Sequence, residues 1–157
     1  MFAYLGLGSN LGDREAEIAQ AIRSLATLGR VAASSAFYET EPEGGAPQPK
    51  YLNAVVRLET NLPARALLEG CLEIERAQGR VRPIGIAKAP RIIDIDLLLY
   101  GAATIEEPGL YVPHPSLLVR PFVRIPLADV AQPGLCHPQN GEQLDRCVPD
   151  RSGRRLG

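Results

Sequence analysis

Cysteine and histidine are scarce in this chain of 157 residues: three cysteines (Cys71, Cys136, Cys147) and two histidines (His114, His137), in no metal-ligand spacing. An odd, irregularly spaced set argues against a disulfide scaffold or a structural zinc site. Excess charge is also missing, since 17 Lys and Arg against 18 Asp and Glu leave a net charge of −1. No whole-chain field favours nucleic acid or an anionic membrane, so any anion binding has to come from a local cluster. The sequence offers no run of about 18 apolar residues to span a bilayer, and its first residues lack the basic start and apolar stretch of a signal peptide. A cytoplasmic protein with no membrane partner is expected. What is present is ordinary for a globular chain, with 45% hydrophobic and 22% charged residues, and the length fits a single domain over 1–157. Gly (15) and Pro (14) exceed their usual share, which points to long, shaped loops.

The apolar run Phe2 to Leu7 reads as a buried strand. After a loop over 8–13, the spacing of Ile18, Ile22, Leu25 and Leu28 predicts a helix from Arg14, capped by Asp13 and ended by Gly29. Val31 to Tyr38 has strand character, and the segment from Glu39 to Lys50 reads as a long loop. Tyr51 to Glu59 alternates, with Leu52, Ala54, Val56 and Leu58 on one side and Tyr51, Asn53, Val55, Arg57 and Glu59 on the other, as in a half-polar strand. Pro63 opens a second helix carrying Leu67, Leu68, Cys71, Leu72 and Ile74, which gives way to Glu73, Glu75 and Arg76 and ends at Gly79. Arg80 to Pro90 is a loop and Arg91 to Tyr100 a strand. The resulting order is β-α-β-β-α-β, which predicts an α+β fold with a ferredoxin-like core, an antiparallel sheet with helices packed on it. From Ala102 on, short strands and turns lead into an irregular C-terminal third, and about 148–157 reads as a flexible tail.

In the strand from Arg91, a period of two sets Asp94 and Asp96 on one face and Ile93, Ile95, Leu97 and Leu99 on the other, with the carboxylates roughly 7 Å apart. Such a pair needs positive charge between its members. Neighbouring arginines would satisfy it as a structural feature; one or two Mg²⁺ ions would satisfy it as a functional one, since magnesium is held by one or two carboxylates with water and phosphate oxygens. Arg80, Arg82, Lys88 and Arg91 cluster just before these acids. They are either a solvated charge run or guanidinium forks for phosphate, and with the acids they describe a Mg-polyphosphate site. The loop Gly8-Ser9-Asn10-Leu11-Gly12-Asp13 feeds a helix, where backbone N–H groups can bind anions, but it is neither a P-loop nor a dinucleotide fingerprint, and an ordinary turn with a capped helix fits it equally. His114, between Pro113 and Pro115, is either structural or a phosphate or base contact; His137 reads as structural. Neither histidine has a nucleophile and orienting acid identified by spacing, so covalent catalysis is disfavoured.

Together these segments resemble the 6-hydroxymethyl-7,8-dihydropterin pyrophosphokinase family of folate biosynthesis. The resemblance runs from Leu5-Gly6-Leu7-Gly8-Ser9-Asn10-Leu11-Gly12-Asp13 through Phe37-Tyr38-Glu39-Thr40, Tyr51-Leu52-Asn53, Gly79-Arg80-Val81-Arg82 and Pro90-Arg91-Ile92-Ile93-Asp94-Ile95-Asp96 to Val112-Pro113-His114-Pro115 and Arg120-Pro121-Phe122-Val123. It implies ATP-dependent diphosphate transfer to the pterin hydroxymethyl group, with release of AMP. By the same resemblance Asp94 and Asp96 would bind two Mg²⁺ ions, and Arg80, Arg82 and Arg91 would act on the phosphates as catalytic residues. Glu75, Arg82, Arg91, Leu97, Tyr111, His114 and Arg120 would bind ATP, and Asn10, Thr40, Glu41, Tyr51, Asn53 and Phe122 the pterin. An Asn and a Thr suit the amide-like edge of a pterin, and Tyr and Phe rings its face. The chain departs from the family in lacking Trp, in Ala87-Lys88-Ala89 within a loop one residue longer than is common, in Leu72, and in Glu41 where Pro is frequent.

Two other readings are a paralogue that uses the Mg-ATP site on a different heterocyclic alcohol, and a nucleic-acid-binding ferredoxin-like module. The second needs exposed aromatics in a basic field, and the Asp94 and Asp96 pair argues against it. Partners are accordingly small molecules, ATP and a reduced pterin, with no nucleic acid, and the protein is expected to act as a monomer.

Overall fold

The computed structural model describes residues 1–41, 49–79, 92–146 and 153–156. Eight strands and three helices lie among them: β1 (Phe2–Ser9), α1 (Arg14–Leu25), β2 (Arg30–Ser34), β3 (Phe37–Thr40), β4 (Tyr51–Glu59), α2 (Ala64–Ala77), β5 (Asp94–Tyr100), β6 (Ile105–Glu107), β7 (Leu110–Val112), α3 (Pro121–Val130) and β8 (Gly153–Leu156). The fold is α+β. Its main sheet runs β5-β1-β4-β3-β8, with β2 also on β4, and its pairs are antiparallel. β6 and β7 form a separate hairpin.

Local chemistry sets most boundaries. The Asp13 carboxylate accepts the Ala16 N–H at 3.2 Å and Glu15 and Glu17 stand in the first turn, so one orphan donor of α1 is capped and negative charge lies at its positive end. α1 stops at Leu25, short of the expected Gly29, because the Thr27 hydroxyl donates to the Ser24 carbonyl at 2.8 Å and tight turn bonds replace the helical ladder. α2 begins after Pro63 and is followed by Gly79 at φ +89°, a left-handed position suited to glycine. The expected single strand from Val31 to Tyr38 is two strands. Ser35 breaks it: its N–H donates to the Val55 carbonyl at 2.9 Å, and its hydroxyl donates to the Ala36 carbonyl at 2.7 Å while accepting the Val55 N–H at 2.9 Å. β3 then continues to Thr40, into what the sequence suggests is loop.

Hydrophobic cores lie on both faces of the sheet. One, under α1 and α2, gathers Leu5, Leu7, Ile18, Leu25, Leu52, Val56, Leu58, Leu67, Cys71 and Ile95. The other, under α3, gathers Tyr4, Val55, Leu98, Leu99, Leu117, Leu127 and Val130. α3 was not expected, since Pro126 interrupts its pattern and no side chain caps it. Pro121 suits the first helical turn. Tertiary bonds hold the far end: Asp129 accepts the Tyr38 hydroxyl at 2.6 Å and the Ala36 N–H at 3.2 Å, and Arg57 donates to the Val130 carbonyl at 2.7 Å. Because α3 covers the second face, β4 is buried on both sides along most of its length rather than half-exposed.

β5 is described from Asp94, three residues after the expected start; Arg91 and the expected loop over 80–90 lie outside the described residues. Its register on β1 passes from Tyr4↔Leu99 to Leu5↔Leu97, so Leu98 is an extra residue. That bulge turns Leu99 to the α3 side with Leu98, whereas strict alternation had placed it with Leu97. At the C-terminus, Gly153–Leu156 pairs with β3 as a strand where the sequence suggests a tail; 147–152 lie outside the described residues. No helix among the described residues is long and apolar enough to cross a membrane.

Candidate active site

β1 presents Tyr4, Gly6 and Gly8 toward α3, following the period of two. Gly6 is registered between Val55 on β4 and Asp96 on β5, and Gly8 between Asn53 and Asp94. The two glycines leave the centre of this face without side chains. A methyl on Gly8 would come 3.1 Å from Asn53 Nδ2 and 3.5 Å from Tyr51 Cδ1, and one on Gly6 would touch Leu98 Cδ1 at 3.4 Å. Over this floor opens a cavity of about 170 Å³, bordered by Asp94 and Asp96, by Asn53 and Tyr51, by Thr40 and Glu41, and by Arg120 and Phe122. Eight of the residues suggested by the sequence therefore meet in one space, although they come from four separate segments.

Asn53 and Thr40 are both buried, and the Thr40 hydroxyl donates to Asn53 Oδ1 at 2.6 Å. The Arg120 guanidinium stands over the Phe122 ring, 5.5 Å from its centre, in cation–π geometry. Lys50 Nζ lies 3.4 Å from the exposed Glu41 carboxylate. His114 is not on the cavity wall. Its backbone N–H donates to the Leu98 carbonyl at 2.9 Å and its Nδ1 accepts the Ser116 N–H at 3.1 Å. Burial and the Arg120 charge push its pKa below the usual histidine value, with Asp94 opposing them, so charges from both sides of the cavity act on this ring.

The other suggested residues among those described are not on the cavity wall. Asn10 is buried, with Nδ2 donating to the Pro49 carbonyl at 3.0 Å. Leu97 packs in the core under α1 and α2, on the face away from the cavity, and Tyr111 is exposed on the β6–β7 hairpin. Glu75 is buried on α2, where its Oε2 accepts the Ile95 N–H at 2.8 Å. Arg80, Arg82 and Arg91 lie outside the described residues.

The carboxylate pair matches a hard divalent cation, since Asp94 and Asp96 share one face beside a floor without side chains. No cluster of three or more His, Cys, Asp or Glu side chains able to hold a metal occurs among the described residues. Two carboxylates suffice for Mg²⁺ when water and substrate phosphates complete its shell, and do not suit a structural zinc. Cys71 lies behind β5 in the α2 core, and burial, with Glu75 and Asp96 as nearby negative charges, pushes its thiol up to about 12. It is a core residue, not a nucleophile. The lining residues not singled out for substrate are Gly6 and Gly8 of the floor, the latter marked only as the start of a candidate anion-binding loop, and Leu7, Ala54, Val55, Leu98 and Val123. Glycine at alternate positions of β1 was the available signal for the floor.

The family model described as 7,8-dihydro-6-hydroxymethylpterin-pyrophosphokinase (HPPK) matches residues 4–132. The chain belongs to this family. Among curated relatives, the 2-amino-4-hydroxy-6-hydroxymethyldihydropteridine pyrophosphokinase of Methylorubrum extorquens is 49% identical over 131 residues, 82% of this chain and 82% of that protein. The protein of the same name from Bacillus subtilis is 41% identical over 132 residues, 83% of this chain and 78% of its own length. The folic acid synthesis protein fol1 of Schizosaccharomyces pombe is 38% identical over 148 residues, which are 93% of this chain and 20% of that protein. Solved HPPK-DHPS structures share the fold. One in complex with substrates has a TM-score of 0.71 at 15% identity, and the wild-type Plasmodium falciparum protein 0.70 at 16%. Each match covers 92% of this chain, which spans 42% and 43% of those longer chains.

Proposed function

We propose that this HPPK-family chain transfers the terminal diphosphate of ATP to the hydroxymethyl group of 6-hydroxymethyl-7,8-dihydropterin and releases AMP. It is thus a diphosphotransferase of folate biosynthesis. The observation that carries the reading is the single cavity in which the Asp94 and Asp96 carboxylates face an Asn53–Thr40 pair and the Tyr51 and Phe122 rings across a glycine floor. A flat heterocycle with an amide-like edge meets the polar pair with that edge and the rings with its face. Its hydroxymethyl arm then points along the floor toward the carboxylates.

On this reading Asp94 and Asp96 hold two Mg²⁺ ions, which when bound neutralise charge on the phosphate oxygens during transfer. Arg80, Arg82 and Arg91 contact the transferring phosphates, and Arg120 and His114 the ATP. Arg120 lines the cavity, and its stacking on Phe122 would tie the nucleotide side to the pterin side. Asn10 and Glu41 support the pterin end. Leu97 and Tyr111 belong to the same ATP assignment by the family resemblance, although neither side chain lines the cavity. The enzyme acts as a monomer in the cytoplasm on small molecules alone, without nucleic acid.

The test is to supply Mg-ATP and the reduced pterin and follow both nucleotides. AMP and pterin diphosphate should appear in equal amounts, with no product when Mg²⁺ is chelated. Production of ADP, or no turnover with this pterin, would refute the assignment.

A further inference from the structure

We propose that Glu75 is a positioning residue for diphosphoryl transfer, holding the stretch of β5 that carries Asp94 and Asp96 by accepting the N–H of Ile95 between them. The proposal rests on the reading of those two aspartates as the metal-binding pair. β5 is the terminal strand of its sheet, with β1 on its inner edge. Ile95 is opposite Leu7, yet its N–H turns away from β1 and donates to Glu75 Oε2 at 2.8 Å. Both ends of that bond are buried, Glu75 at 3% exposure and Ile95 at 4%. Removing the carboxylate therefore leaves the amide without an acceptor in the closed state, so the strand opens more readily to water there.

The geometry explains why this bond matters to the neighbouring side chains. The peptide unit joining Asp94 to Ile95 is planar, so fixing the nitrogen of Ile95 fixes the plane that leaves the Asp94 Cα. Strand alternation then aims Asp94 and Asp96 into the cavity while Ile95 packs under α2. Glu75 itself is not on the cavity wall. It acts on the carboxylates from behind the sheet, with α2 as the rigid support. A supporting bond behind ligating groups has its effect through their orientation.

Two variants separate positioning from direct nucleotide contact. Glu75→Gln keeps a carbonyl acceptor for Ile95 and loses the charge, whereas Glu75→Leu keeps bulk and loses both. Hydrogen exchange at the Ile95 amide is read by NMR on the full chain without substrates, and kcat and KM are read separately. Glu75→Gln should retain slow Ile95 exchange and most of the turnover. Glu75→Leu should speed that exchange and lower kcat about 10- to 100-fold, with the KM for ATP little changed. A fall in Glu75→Gln as deep as in Glu75→Leu, a raised KM for ATP at unchanged kcat, or unaltered Ile95 exchange in Glu75→Leu would each overturn the proposal. Should Glu75→Leu fail to fold, loss of Ile95 protection or of turnover in Glu75→Gln overturns it alone. Absence of AMP release by the wild type would refute the functional reading and with it the catalytic half of this one, leaving amide exchange to decide whether Glu75 holds β5.

Discussion

Placing a methyl group on Gly8 tests whether the glycine floor shapes the pterin subsite. Gly8 lies within β1 and its φ is outside the left-handed range, so alanine can adopt the backbone conformation. Ala should even gain roughly 0.5–1 kcal/mol from the strand's lower entropic cost. Against that, the new Cβ sits 3.1 Å from Asn53 Nδ2, a distance at which the amide has to move by a few tenths of an ångström. Asn53 has little freedom to retreat, because Thr40 holds its Oδ1 at 2.6 Å and β4 fixes its backbone. Displacement of the amide misaligns the group that meets the edge of the pterin. Loss of one such hydrogen bond in a buried site costs about 1–3 kcal/mol, which corresponds to about a 5- to 150-fold weaker Kd. Gly6→Ala is the control: its Cβ meets Leu98 Cδ1 at 3.4 Å, an ordinary contact with a side chain that can adjust. The assay is pterin affinity in the presence of a non-hydrolysable ATP analogue, with melting temperatures measured in parallel. Gly8→Ala should melt within about 2–4 °C of the wild type while binding pterin more weakly than Gly6→Ala does. Wild-type pterin affinity in Gly8→Ala would refute the placement of the substrate's edge on Asn53.

Asp94→Asn and Asp96→Asn should each lower turnover by at least about 10²-fold, since losing either carboxylate weakens the electrostatic stabilisation of the transferring phosphates; circular dichroism should show both still folded, and near-normal rates at low Mg²⁺ would contradict the pairing. Cys71, whose thiol burial pushes up to about 12, should resist a thiol reagent at pH 8 in the native state while the exposed Cys136 is modified, as peptide mapping by mass spectrometry can read. His114 should titrate below the model-peptide value of 6.5, through burial first and Arg120 second. The unfolded chain then takes up this proton at higher pH than the folded one, so the His114 contribution to stability is complete above pH 6.5 and is lost as pH falls through the folded value. The imidazole C–H resonances followed by NMR, and denaturant unfolding across that window, check both statements; a His114 pKa at or above 6.5 contradicts them.

Features set by neighbours in sequence were readable from the sequence, and those set by distant partners were not. The bounds of β4, the Asp13 cap of α1 and the shared face of Asp94 and Asp96 follow from alternation and capping chemistry within a few residues. The break between β2 and β3 depends on Ser35 bonding both backbone groups of Val55, 20 residues away. The bulge at Leu98 shows only in pairing with β1. α3 has a proline inside it and no capping side chain, so its stability comes from packing on the sheet and from bonds to Tyr38, Ala36 and Arg57, residues that local pattern cannot connect to it. For the site, the carboxylates were legible from alternation, and the amide and rings only through the family resemblance, whereas the cavity's shape was not legible, since it exists because two side chains are absent.

The polar positions of β4 connect these two kinds of information. Tyr51, Asn53 and Arg57 share the strand face with Val55, and on alternation alone that face belongs in water. Instead it is covered, and a buried polar group without a partner is costly, so each member has to be accounted for. Arg57 donates to the Val130 carbonyl through Nη1 and stacks on the Phe2 ring, while its buried Nε lacks a hydrogen-bond partner among the described residues, and these contacts fix the closed end of the α3 layer. Asn53 is met by Thr40, and Tyr51 borders the cavity. Along the neighbouring β1 the same face runs from Tyr4, packed in the core under α3, to Gly6 and Gly8, which carry nothing. α3 therefore seals the sheet at one end and leaves it open at the other, and the open end is where Asp94 and Asp96 emerge from β5. The half-polar pattern of β4 thus records a face that is part core and part binding site, which explains why it carries the residue types of a surface without being one.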